Sequence, residues 1–293
     1  MGLTELEIRI ASLLAYLLIG PFLAGLINGV DRRISARMQG RVGPPILQPF
    51  YDVGKLWKKE TPVINRSQTF FVIIYLIFSV FTGAIFFLGS DLLLVIFALT
   101  LAGIFLVLAA NVVNSPYSII GGDRELLMMF ADEPAILLTA VGFYLATGSF
   151  AVSDIIQVSR PAIIVTPGVF IAFVYILTIK FRKSPFDLST SHHGHQEIVK
   201  GLTTEFAGRN LAIVEVAHWY ETILLLGMVF LFFASTSPVW IGVGLAATAL
   251  IYFAEIVIDN TFARVKWPVV IIGSWLVAAL GGMLNLIVLS IKP

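Results

Sequence analysis

The sequence predicts an all-α integral membrane protein of about eight transmembrane helices, with both termini outside and long cytoplasmic loops one and five. Three observations carry this expectation. The chain of 293 residues is 58% hydrophobic and only 13% charged, with a mean hydropathy of +0.94, whereas a soluble domain carries about 25% charged residues. Apolar runs long enough to cross a hydrocarbon core of about 30 Å, which takes roughly 20 helical residues, recur along the chain. The basic residues gather on one side of those runs.

Taken in order, the first run covers 8–30. It lacks a basic leader and a small-residue cleavage site, so it is expected to stay as a helix. The runs "TFFVIIYLIFSVFTGAIFFL" at 69–88, "LLLVIFALTLAGIFLVLAANVV" at 92–113 and "VVIIGSWLVAALGGMLNLIVLSI" at 269–291 hold no charge. Four more lie near 124–150, 161–180, 211–234 and 239–258. These stretches are uniformly apolar rather than alternating, which favours helices over a barrel, because lipid offers the backbone no partner but itself. The loops after runs one, three, five and seven hold 8, 1, 5 and 2 of the 19 Lys and Arg, leaving only Arg9, Arg160 and Lys292 opposite. The positive-inside rule then makes 31–67, 114–124, 180–210 and 259–267 the cytoplasmic loops of a single membrane domain over 1–293. The lipid bilayer is the expected surrounding, and no nucleic-acid partner is expected.

With no cysteine in the chain, it can supply no thiolate to a nickel–iron centre, an iron–sulfur cluster or a disulfide. Any redox metal is expected in partner subunits. In the first loop, Gly43-Pro44-Pro45 turns into a segment from Gln48 to Glu60. There Phe50, Tyr51, Leu56 and Trp57 can share a side while Asp52, Lys55, Lys58 and Lys59 stay wet, the pattern of a helix lying flat in the interface. A positive-inside loop with an aromatic anchor accounts for the same charges.

Ionisable residues inside spans are costly and mark function by default. In "GGDRELLMMFADEPAILL" the residues Asp123, Arg124, Glu125, Asp132 and Glu133 introduce the fourth span, with Glu133 well inside it. In the sixth span Glu215 and His218 are neighbours on one face, and Glu221 is one step further. Glu255 and Asp259 share a face near the end of the seventh. Several carboxylates and a histidine on three helices suit a hydrated proton path, because buried carboxyl groups and histidine can exchange protons near neutral pH. The polar island "SPFDLSTSHHGHQEIVKGLTTEF" at 184–206 has the donors for a metal in His192, His193, His195 and Glu197. "HHGH" lacks the spacing of helical ligand pairs, however, and a structural zinc site would normally add cysteines. No metal is expected on this chain.

Four segments together resemble a known family. "DRRISARMQGRVGPPILQPFYDVGKLWKKE", "SPYSIIGGDRELLMMFADEP", "RKSPFDLSTSHHGHQEIVKGLTTEFAG" and "DNTFARVKW" are similar to loops one, three, five and seven of the membrane subunit at the heel of respiratory complex I. That family is shared with the energy-converting membrane-bound nickel–iron hydrogenases. The family's Arg-x-Gly-Pro falls on Arg41, Gly43 and Pro44, and its Gln, Asp, Lys and Lys-Glu positions on Gln48, Asp52, Lys55, Lys59 and Glu60. Its third-loop pattern falls on Tyr117, Gly121, Arg124 and Glu133, its Pro-Phe-Asp-Leu on Pro185 to Leu188, and its later acids on Glu197 and Glu205. The resemblance implies a chamber under a redox partner and a chain of carboxylates leading into the membrane.

The departures point within the family. The histidine-bearing "STSHHGH", His218-Trp219 in place of a Glu-Tyr pair, Glu215 one turn earlier, and Pro45 in place of Asn look more like the ferredoxin-linked hydrogenase subunit of the Ech type than a quinone-reducing one. The resemblance then implies a non-catalytic coupling subunit. Its proton path would run through Glu133, Glu197, Glu205, Glu215, His218, Glu221 and Glu255. Docking and coupling loops would use Arg41, Asp52, Lys55, Arg124, Asp187, His192, His193 and His195, with Asp187 and Arg41 organising the interface. The implied partners are peripheral nickel–iron hydrogenase large and small subunits holding the NiFe centre and 4Fe-4S clusters, a ferredoxin-like iron–sulfur subunit and an antiporter-like membrane subunit. A quinone-binding subunit of a complex I-like dehydrogenase and a stand-alone secondary ion transporter are the alternatives.

Overall fold

The structure is a computed structural model that describes residues 3–60, 66–190 and 200–291. It is all-helical: α1 Leu3–Met38, α2 Gln48–Lys58, α3 Arg66–Phe87, α4 Leu92–Asn111, α5 Pro116–Thr147, the short α6 Val152–Ile156, α7 Pro167–Lys180, α8 Gly208–Leu231, α9 Pro238–Thr261 and α10 Trp267–Ile291. Among the described residues, seven of these are long and apolar enough to cross a membrane: α1, α3, α4, α5, α8, α9 and α10. The all-α membrane fold read from the sequence stands, and the chain is a multi-pass membrane protein.

The fifth predicted run, 161–180, differs from the expectation. It opens as a 3-10 turn over Ala162–Ile164 and becomes α-helical only at Pro167, leaving α7 with 14 residues. The cause is local. A residue before proline is pushed out of the helical region, and Thr166 sits at φ −117 and ψ 42. At 1.5 Å per residue α7 reaches about 21 Å, short of a full hydrocarbon core. The loops also shrink. α1 continues to Met38, α5 already begins at Pro116 and α9 runs to Thr261. Most of the predicted third loop, Arg124 included, is therefore helix.

Lipid is as apolar as leucine, so helices in a membrane associate through close packing and small residues rather than through water exclusion. The largest packed cluster draws on α4, α5, α7 and α8, with Phe143 and Phe173 closing on Phe232 at 4.6 and 5.7 Å between ring centroids. Gly121 on α5 lies against the backbone of Gly201 and Leu202, where a Cβ would collide. That close approach fixes the end of the fifth loop onto α5.

The start of α7 is capped from the far end of the chain. Asn285 Oδ1 accepts from the amides of Gly168 at 2.9 Å and Val169 at 3.3 Å, and its Nδ2 donates to the Val165 carbonyl at 3.1 Å. Within α10, a π-helical turn at Ala278–Met283 precedes this residue. Helix-start amides left without acceptors cost about 1–2 kcal/mol. Asn285→Leu is expected to lower the thermal unfolding midpoint of the purified protein by several degrees, and an unchanged midpoint would show that α7 holds its start without the cap.

Candidate functional site

The site grows from the end of α7. Arg182 adopts φ 52, in the left-handed region that non-glycine residues seldom use. This turn stops the helix and sends three cations to three different helices. Lys180 reaches Asp132 on α5 at 3.0 Å. Arg182 grips Glu125, two turns earlier on the same face of α5, with Nε at 3.0 Å and Nη2 at 2.7 Å, and lies 3.8 Å from Glu221 on α8. Lys183 pairs with Asp31 on α1 at 2.7 Å and stacks 4.7 Å above the Tyr252 ring, whose hydroxyl donates to the same carboxylate at 3.1 Å. Glu125, Asp132 and Glu221 are all buried. Burial opposes the Arg182 charge, but the neighbouring Glu125, Tyr75 and Glu221 raise its pKa on balance, so it is a fixed cation.

On α3, Tyr75 and Ser79 are one turn apart and both face α8. Tyr75 Oη lies 2.7 Å from His218 Nδ1, and Ser79 donates to Glu221 Oε1 at 3.2 Å. His218 Nδ1 is in turn 3.4 Å from Glu221 Oε2. The sequence-predicted pair of His218 and Glu221 is therefore one hydrogen-bonded group with Arg182 at its centre.

A cavity of about 470 Å³ opens onto this group. It runs from Asp31 and Ser35 on α1 and Gln39 just after it, past Ser184 and Asp187 of the fifth loop, to Glu215, His218 and Glu221. A second, smaller void of about 30 Å³ touches Glu125, Asp132, Lys180, Arg182 and Glu221. One water needs roughly 10–15 Å³ measured in this way. Lys180, Arg182 and Glu221 line both spaces, so polar surface continues from the open cavity into the interior of α5. Beside Asp132, Glu133 is half-buried and accepts from Thr100 of α4 at 3.0 and 3.1 Å.

The other predicted positions are dispersed. Glu215 lines the large cavity without joining the ion pairs at its floor. Glu205 is half-buried, and its carbonyl accepts from Gln68 at 3.4 Å. Glu255 is 1% exposed on α9, away from the cavity lining, and its Oε2 has no hydrogen-bonding partner among the described residues. His192, His193, His195 and Glu197 lie outside the described residues. Two expectations need correction. Asp187 is buried and faces Arg264 at 3.8 Å, whereas Arg41 is exposed and bonds Gln39, so these two organise separate places. Asp52 is not simply solvated, since it pairs with Arg32 at 2.6 Å and accepts from Gln48 at 2.8 Å. Along α2, Phe50 packs on Phe22 and Trp219, while Tyr51 and Trp57 are more than half exposed.

Sequence reasoning named Glu125 and Asp132 among the acids introducing the fourth span but gave them no site role, and it passed over Asp31, Lys180, Arg182 and Lys183. A signal was there: three cations follow directly on an apolar run, facing a comparable number of intramembrane acids. Counting them as retained basic charge hid the pairing.

The model of the NADH dehydrogenase family matches residues 10–290. Hydrogenase-4 component C of Escherichia coli (strain K12) is 26% identical, with 90% of each chain covered. A subunit of the NADH-quinone oxidoreductase of Anoxybacillus flavithermus is 28% identical, over 89% of this chain and 86% of that one. A chain from the membrane-bound sulfane sulfur reductase, described as an archaeal respiratory membrane complex, has the same fold with a TM-score of 0.79 at 24% identity, over 94% of this chain and 99% of that one. With the match running through the charged floor and nearly the whole length of the helices around it, the chain belongs to the NADH dehydrogenase family.

Proposed function

We propose that this chain is the membrane-anchoring, proton-conducting coupling subunit of a ferredoxin-linked energy-converting nickel–iron hydrogenase in a prokaryotic plasma membrane. The observation that carries the reading is the continuous polar trail from the cavity through Glu221, Arg182 and Glu125 to Asp132 and Lys180. Five ionisable groups buried among apolar helices are costly, and such groups mark ion pathways. Arg182 stays charged, so the movable protons belong to the carboxyl groups and His218. A nickel–iron centre and 4Fe-4S clusters would belong to the peripheral subunits docked over the fifth loop. Their turnover would change charge above the cavity, and a charge at short range in a partly dry site shifts proton affinities below it. An antiporter-like partner subunit would take the relay onward from the Glu133 and Thr100 side. Similarity to a hydrogenase component and the histidine-bearing fifth loop support this form over others.

Quinone reduction is the second reading, supported by similarity to the quinone-linked subunits and by the size of the cavity. Its lining by Asp31, Lys183, Arg182, Glu215 and Glu221 suits water better than a quinone ring. Subunit composition and metal content of the purified complex test the proposal: nickel with iron–sulfur subunits supports it, and quinone-dependent NADH oxidation without nickel overturns it. A transporter acting as an isolated polypeptide would overturn both readings. Within the complex, Glu133→Gln keeps the Thr100 hydrogen bond and removes the titrating proton. Dye-linked hydrogenase activity should persist while ion translocation in vesicles falls several-fold, and normal translocation would make Glu133 structural.

A further inference from the structure

Beside the polar trail, between α2 and the start of α8, lies a further cavity of about 290 Å³, which shares Arg32, Lys200 and Glu215 with the large one. Four cations line it, Arg32, Lys55, Lys59 and Lys200, against two carboxylates, Asp52 and Glu215. Arg32 is already engaged by Asp52 at 2.6 Å, which leaves the three lysines facing Glu215 alone and gives the cavity a positive surplus. The rest of the wall is apolar, with Val53 and Leu56 of α2 opposite Leu211 of α8. Trp219 also lines it. Only 6% of this residue is exposed, and its Nε1 has no hydrogen-bond partner among the described residues. The edge of Phe50, 5.2 Å away between centroids, holds the indole in place.

We propose that this cavity is a binding site for one anionic phospholipid. The phosphate takes the charge of Lys55, Lys59 and Lys200, and an acyl chain follows Val53, Leu56 and Leu211. Basic pockets among membrane helices select anionic headgroups on charge. A quinone leaves the lysine surplus unmatched, which is why the lipid is favoured. The site is independent of the hydrogenase reading, because it needs only α1, α2, the end of the fifth loop, α8 and the membrane.

The test uses the purified complex in detergent, followed by native mass spectrometry during titration with dioleoylphosphatidylglycerol. One equivalent should bind tightly, with dioleoylphosphatidylcholine at least about tenfold weaker. Removing Lys55 and Lys200 together, as K55Q/K200Q, should weaken that equivalent roughly twentyfold, about fivefold per lysine. Equal retention of both lipids, or undiminished binding in K55Q/K200Q, would overturn the proposal. So would displacement by decylubiquinone at concentrations where excess phosphatidylcholine has no effect, which would make the site a quinone pocket. Displacement by millimolar inorganic phosphate would overturn the lipid as its occupant and leave an anion site.

Discussion

Arg182→Gln is expected to abolish ion translocation by the assembled complex while dye-linked redox activity continues. Among the described residues, Arg182 is the one cation that touches carboxylates on both α5 and α8, Glu125 at 2.7 Å and Glu221 at 3.8 Å. Removing one partner of a buried ion pair strands the other, at a cost of about 3–5 kcal/mol. Both acids would then retain protons they should exchange, and the assembled complex should lose thermal stability. The double variant Glu125→Gln with Arg182→Gln separates structure from function. It removes the more closely held of the two stranded charges, so much of the stability should return, but translocation should not. The measurements are melting of the complex and gradient formation in reconstituted vesicles. If R182Q pumps normally in an assembled complex, the polar trail is scaffolding and the proton route lies elsewhere.

Asp132→Asn is expected to reduce translocation at least about tenfold, more than Glu133→Gln. Asp132 is 2% exposed and paired with Lys180, whereas Glu133 beside it is half-buried and hydrogen-bonded to Thr100. Asparagine fills the same space without a titrating proton. Because it also strands Lys180, the companion Asp132→Asn with Lys180→Met is needed. Were Asp132 only a counter-charge, that pair would restore coupling, since buried ion pairs are often replaced by apolar groups with little loss. Were it a proton carrier, coupling would stay lost although the protein is stable.

Much of the fold was legible in the residues themselves. Hydropathy placed the seven long spans, and the basic and aromatic pattern of Gln48 to Glu60 placed α2 within two residues of its end. Pro167 cut the fifth run short, a local effect that hydropathy averages away. The site was legible in part. Glu215, His218 and Glu221 could be grouped because they share one helix, and helical spacing is written in sequence. Asp132 with Lys180, Glu125 with Arg182, and Asp31 with Lys183 could not, because each pair joins different helices.

The sequence by itself determined that this is a helical membrane protein, that acids stand inside its spans, and that it has no cysteine with which to hold a cluster, since each depends on residue type or on neighbours within one helix turn. Only the tertiary structure decided which acid meets which cation. That choice depends on how α1, α5, α7 and α8 approach one another and on the left-handed turn at Arg182, and lipid enforces it by leaving an unpaired charge nowhere else to go.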